Sequence, residues 1–337
     1  MRLSDFDYHL PPELIAQAPL KDRGASRMLV LERRAGTWQD RAFRDLPSYL
    51  KPGDCLALNE SRVIPCRLLG RHMDKPREVE VFLLRAVSKD RLTWQALVKP
   101  GRYLQPGARA CISPTLTCEV LEVGPRGERT VRFACDGPIE AELERAGHMP
   151  LPPYIKRPDS AADRERYQTV YATRPGSVAA PTAGLHFTPE MLARCGVPIA
   201  RLTLHVGLGT FQPLDHERVE DNHLHAEEFE IGQHDARMLR SAERIVAVGT
   251  TTARTLETIA RRGGFGNAMR GETDIFIYPG FEFRATGALL TNFHLPKSSL
   301  LLLVSAFAGR ELILEAYRHA VKERYRFYSY GDCMLVL

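Results

Sequence analysis

Between Arg67 and Phe133 the chain breaks into short β-rich runs, EVEVFLLRAV, RLTWQALV, CEVLEV and RTVRFAC, separated by glycine and proline turns. Strands spaced this evenly predict a small all-β barrel or sandwich. The flanks read differently. Upstream, PPELIAQAPL predicts a short helix, RMLVLERRAGTWQD a hairpin turning near Ala35 and Gly36, and GDCLALNESRVIP a strand ending at Asn59. Downstream of GHMPLPPYIKR, the helical stretches PEMLARCG, DARMLRSAERI and ARTLETIARRGG alternate with the strands IARLTLHV, RIVAVGTT and DIFIYPG, which is α/β texture. The two mixed flanks are therefore expected to form one discontinuous α/β domain, residues 1–62 and 151–337, with residues 63–150 inserted as a β-barrel domain. A chain of 337 residues is long enough for both cores.

Charge narrows the partners. The formal net charge is +5, and cations crowd the segment from Arg62 to Arg109, where only Asp74, Glu78, Glu80 and Asp90 oppose them. That excess gives the insert a positive field suited to a polyanion such as RNA. The seven cysteines form no C-x-x-C pair, and their odd number argues against a complete disulfide framework, so reduced thiols and a cytoplasmic location are expected. MRLSDFDYHL carries acids where a signal peptide needs an apolar core, and no run approaches the ~18 apolar residues that span a bilayer. Neither export nor a membrane partner is expected.

Polar clusters recur where strands end. RYQTVYATRPGSVAAPTAGLHF is rich in small and hydroxyl residues around Thr182, Gly184 and His186, which let backbone approach a ligand or simply form an irregular loop. In LTLHVGLGTFQPL a strand carrying His205 runs into Gly207, Gly209 and Thr210, without the third glycine and helix of a dinucleotide fingerprint. DNHLHAEEFEI places His223, His225 and Glu227 at alternate positions of an extended segment, a pattern open to metal binding or to substrate hydrogen bonding. RIVAVGTTTARTLETI predicts a strand, a turn at Gly249, Thr250 and Thr251, and a helix whose N-terminus suits an anion or is merely capped by its threonines. LLTNFHLPKSSLLLLVSAFAG interrupts an apolar run with Asn292, His294 and Lys297, which is either a ligand-facing turn or a set of helix caps. In KERYRFYSYGDCMLVL, Arg324 and Arg326 alternate with aromatics that could stack RNA bases or pack inward.

Read in order, LPPELIAQAP, GDCLALNESRVIPCRL, AAPTAGLHFT, LHVGLGTFQP, VAVGTTTARTLE, IFIYPGFEF, LLTNFHLPKSS and YRFYSYGDCMLV make the chain resemble the S-adenosylmethionine:tRNA ribosyltransferase-isomerase family across its whole length. The resemblance implies an α/β domain with an inserted barrel. It also implies a reaction: the ribosyl portion of S-adenosylmethionine is transferred and isomerised onto 7-aminomethyl-7-deazaguanine at the wobble position of a tRNA anticodon arm, giving epoxyqueuosine with release of adenine and methionine. S-adenosylmethionine is then a consumed co-substrate, with no resident cofactor or metal, and a monomer is expected.

Such chemistry needs a base for the carbon beside the sulfonium and help for departing adenine, tasks that suit histidine near neutral pH. His186, His205, His225 and His294 are the candidates, with acid and base roles left open. The motifs further imply substrate contacts from Thr182, Gly184, Gly207, Gly209, Thr210, His223, Glu227, Gly249, Thr250, Thr251, Asn292, Lys297, Tyr330 and Asp332. RNA contacts are expected from Arg71, Arg77, Arg102, Arg324 and Arg326. Two positions depart from the family pattern: Thr286-Gly287 stand where an acid is expected, and Leu224 replaces a methionine of similar volume. A noncatalytic RNA-binding module and a hydrolase with a metal on His223, His225 and Glu227 are the alternatives.

Overall fold

The computed structural model describes residues 1–207 and 214–337. Asp54–Asn59 is buried along its entire length and Arg244–Val248 nearly so. Strands of that kind need cover on both faces, which a parallel sheet between helical layers supplies. The described residues accordingly form a nine-stranded mixed sheet in the order Met269–Thr273, Glu227–Ile231, Ile199–Leu204, Asp54–Asn59, Arg244–Val248, Thr286–Asn292, Cys333–Val336, Arg27–Glu32 and Thr37–Ala42. The four strands from Ile199–Leu204 to Thr286–Asn292 in that order are mutually parallel. Side chains alternate between two cores with the period of a strand: Cys55 and Ala57 join one, Leu56 and Leu58 the other. The first is covered by the helices Thr250–Arg261, Ser299–Ala308 and Arg310–Lys322, the second by the segments around Phe43, Phe187 and Met191.

The β-rich runs form a six-stranded antiparallel barrel, whose closure leaves no edge to aggregate. Its strands extend from Arg67–His72 to Arg129–Cys135, and Leu68, Val81, Trp94 and Val131 fill a core of its own. The fold is thus α/β with an inserted all-β barrel. One local expectation fails. DIFIYPG is not a strand; the edge strand lies just before it, at Met269–Thr273, because Phe276, Ile277 and Tyr278 pack into the core without joining the ladder.

Strand direction decides where function can sit. Glu227–Ile231 runs antiparallel to Ile199–Leu204, and Cys333–Val336 antiparallel to Thr286–Asn292. The carboxyl ends of the parallel strands therefore meet the amino ends of these neighbours along one sheet edge, the usual place for a ligand in an open α/β sheet. Asn59, His205, Gly249 and Asn292 arrive there from one direction, Glu227 and Asp332 from the other.

Candidate active site

A cavity of about 800 Å³ lies between the barrel and this sheet edge, within the range of small-molecule sites. Arg85, Arg91 and Trp94 line it from the barrel, and His205, Gly207 and Glu227 from the sheet. Strand Ile199–Leu204 delivers His205 directly to the wall, and the His205 N–H donates to the Glu228 carbonyl at 3.0 Å. Gly176 backs the ring. A Cβ there would lie 2.8 Å from Nδ1, and the backbone φ of +146° also favours glycine. The Nδ1 atom is buried with no hydrogen-bond partner among the described residues. Burial lowers the His205 pKa, so the ring is held neutral and can accept a proton.

Glu227 and Arg254 form a buried ion pair on the same wall. The other Glu227 oxygen accepts the Gly207 N–H at 2.9 Å, and Arg254 Nε donates to the Ile275 carbonyl at 3.2 Å. Arg254 was not singled out from the sequence, although its motif was. A sign was present: a cation early in a helix opposes the helix dipole and calls for a specific anionic partner.

His225 and Leu224 also line the cavity, while His223 is exposed on the segment before the strand. Among the described residues no three His, Cys, Asp or Glu side chains converge as metal ligands. Gly209 and Thr210 lie outside the described residues. Gly249, with φ +92°, allows the sharp entry into the Thr250–Arg261 helix. Thr250 and Thr251 begin that helix, where Thr251 Oγ1 is buried without a partner among the described residues. Thr182 and Gly184 belong to a 3-10 turn packed nearby. At Gly184 a Cβ would fall 2.0 Å from the Tyr171 hydroxyl, so packing alone requires glycine there.

His186 and Asn292 occupy a different environment, where His186, Ser26 and Tyr330 border a small pocket of about 20 Å³. His186 Nδ1 is 2.8 Å from Ser26 Oγ and Nε2 is 3.1 Å from Asn292 Oδ1, while Asn292 Nδ2 donates to the Tyr328 carbonyl at 2.8 Å. Burial pushes the His186 pKa down to about 4 against the opposing Asn292 hydrogen bond, with Arg326 and Arg23 adding repulsion. Tyr330 donates to Asp163 at 2.9 Å, and Asp332 accepts the N–H groups of Arg27 and Arg326 at 2.9 and 2.8 Å. With their polar atoms committed to distant chain segments, these side chains tie the C-terminus into the fold, and none lines the large cavity.

The sequence expectation for the interruption after Asn292 needs correction. His294 is buried, with Nε2 2.8 Å from Thr291 Oγ1, its carbonyl accepting from Tyr8 and its N–H donating to Tyr317 at 3.1 Å. Lys297, at φ +58°, turns outward to pair with Asp7 at 2.7 Å. Ser298 accepts the Leu301 N–H at 3.2 Å and caps the helix, whose Leu300 and Leu303 do reach the cavity. Lys297→Ala is expected to leave thermal melting and turnover near wild type, because exposed ion pairs contribute little. A loss of substrate affinity in the folded variant would return Lys297 to the site.

The aromatic C-terminus is corrected likewise: Tyr325, Phe327, Tyr328 and Tyr330 are buried, too deep to stack bases. Arg326 is half-buried and donates to the Ala18 carbonyl, so it fastens the two termini together, whereas Arg324 is exposed. On the barrel, Arg71 is exposed, and Arg77 and Arg102 surround the Tyr103 ring at 5.6 and 4.8 Å, joined by Lys75 at 5.4 Å. The departure at Gly287 has a steric reason. A Cβ there would meet the Arg244 stem at 2.6 Å, and Arg244 pairs with Asp54, far from the cavity edge.

A family model described as queuosine biosynthesis protein matches residues 3–336. A relative from Solibacter usitatus named S-adenosylmethionine:tRNA ribosyltransferase-isomerase is 60% identical over the full length of both chains. One of the same name from Symbiobacterium thermophilum is 52% identical, again over both full lengths. The crystal structure of S-adenosylmethionine tRNA ribosyltransferase from Thermotoga maritima is 39% identical, covers 99% of this chain and 100% of its own, and superposes with a TM-score of 0.56. Matches of this extent leave no part of either core outside the resemblance, and the chain belongs to the queuosine biosynthesis family of S-adenosylmethionine:tRNA ribosyltransferase-isomerases.

Proposed function

We propose that this chain transfers and isomerises the ribosyl group of S-adenosylmethionine onto 7-aminomethyl-7-deazaguanine in the tRNA anticodon, releasing adenine and methionine. The observation that carries the reading, given the family, is a cavity of about 800 Å³ at the sheet edge with the His205 imidazole, its pKa lowered by burial, on its wall. His205 takes the proton from the carbon beside the sulfonium. The close Gly176 contact fixes the ring's position while that transfer occurs. S-adenosylmethionine is consumed, so the chemistry calls for no resident cofactor. Incubation with ribose-labelled and methyl-labelled S-adenosylmethionine and precursor-containing tRNA tests the reading. Ribosyl label on the tRNA is expected; methyl label alone would sink it.

The RNA path is proposed to follow the barrel. Strand Thr93–Lys99 carries the chain from the cavity wall, at Trp94 and Leu97, directly toward the basic cluster around Tyr103. An RNA lying along that face is led by its phosphates to the cavity. Combining Arg71→Glu, Arg77→Glu and Arg102→Glu is expected to weaken tRNA binding and flatten its log–log salt slope by about 2. An unchanged affinity and slope would give the barrel another purpose.

A further inference from the structure

We infer that Arg254 holds the α-carboxylate of the methionine half of the co-substrate through its Nη2 donor; this rests on the functional reading above. The Arg254 side chain is 7% exposed on the wall of the large cavity. Its other groups are committed: Nη1 to Glu227 and Nε to the Ile275 carbonyl. Nη2 is buried without a partner among the described residues. A buried guanidinium donor left empty is costly, and a ligand oxygen arriving through the cavity removes that cost.

The other cations on the cavity wall are less suited. Arg85 Nε is taken by Gln95 at 2.7 Å, Arg91 pairs with Glu140 at 2.6 Å, and Arg270 is exposed. Arg254 is also braced. Glu227 holds it from one side and is itself fixed by the Gly207 N–H, so little side-chain entropy remains to be lost on binding.

The rest of the wall fits a zwitterionic sulfonium compound. Glu228 and Glu272 stand directly opposite one another in adjacent strands, and both line the cavity. Arg270, two residues from Glu272 on the same strand face, offsets only part of that charge, so this stretch of wall stays net acidic and admits a cationic ligand, while the carboxylate goes to Arg254.

The test is equilibrium binding of S-adenosylmethionine and of its decarboxylated analogue to the full chain. Wild type is expected to prefer the carboxylate-bearing compound by about tenfold or more. Arg254→Lys should shrink that preference. The pair Arg254→Met with Glu227→Gln, which leaves no buried charge unpaired, should abolish it while thermal melting confirms the fold. Equal wild-type binding of the two compounds, or a preference that survives in the folded double variant, would overturn the assignment. So would a loss of tRNA affinity with the preference intact, since that outcome gives Nη2 to an RNA phosphate. Failure of wild type to bind either compound, with or without tRNA, would remove the functional reading itself.

Discussion

Replacing His205 with glutamine is expected to lower single-turnover ribosyl transfer by about 10²-fold or more, the usual scale for loss of general base catalysis. Four histidines share the sequence credentials for that role, and the fold separates them. His186 has protein partners on both ring nitrogens and His294 is enclosed in the core, whereas His205 and His225 both line the cavity, and of these two His205 is the one fixed by the strand and packed against Gly176. Glutamine keeps a hydrogen-bonding side chain of similar reach and cannot act as a base. Binding of S-adenosylmethionine should therefore change little while the chemical step slows. The pH profile gives a second readout. Because burial lowers the His205 pKa, the acid limb of kcat/KM should lie below the ordinary histidine value, and it should vanish in His205→Gln. A folded His205→Gln enzyme with wild-type turnover would remove His205 from the chemistry.

The architecture was legible because its signals are local. Alternating burial along EVEVFLLRAV and RTVRFAC gave the barrel strands directly, and Ala35-Gly36 fell at the turn of the Arg27–Glu32 and Thr37–Ala42 hairpin. DIFIYPG misled for the same reason. Its apolar spacing signals burial, and burial by packing looks the same in sequence as burial in a ladder. The residues of the site were legible as a set, since strand ends collect polar side chains. Their depth was not. His186 is held between Ser26 and Asn292, partners that lie 160 and 106 residues away in the chain, and no spacing rule reaches that far. Arg254 shows the converse: an ordinary helix position becomes a buried donor only because strand Glu227–Ile231 brings Glu227 beside it.

The same buried histidines should make the fold acid-sensitive well above the carboxylate range. Burial pushes His186 down to about 4 and His294 to about 3, while the unfolded chain returns both to about 6.5. Below pH 6.5 the unfolded state therefore binds protons that the folded state refuses, and the slope of unfolding free energy against pH is positive. The stabilisation is complete above about 6.5 and is lost as pH falls toward each folded value. Between pH 7 and pH 5 each ring loses about 2 kcal/mol, or about 4 kcal/mol together, a large share of a typical stability of roughly 5–15 kcal/mol. Asp54, whose pKa is lowered beneath the ordinary carboxylate value by its Arg244 partner against its own burial, titrates below this window. His205 adds in the same sense as the two buried rings, and Asp332, raised by burial, works in the opposite sense. Urea unfolding at pH 7 and pH 5 is the measurement. His294→Asn and His186→Asn will each lower stability at pH 7 and should each reduce the loss between the two pH values by about 2 kcal/mol. If the double variant lost as much stability as wild type over that interval, the acid sensitivity would have to come from other groups.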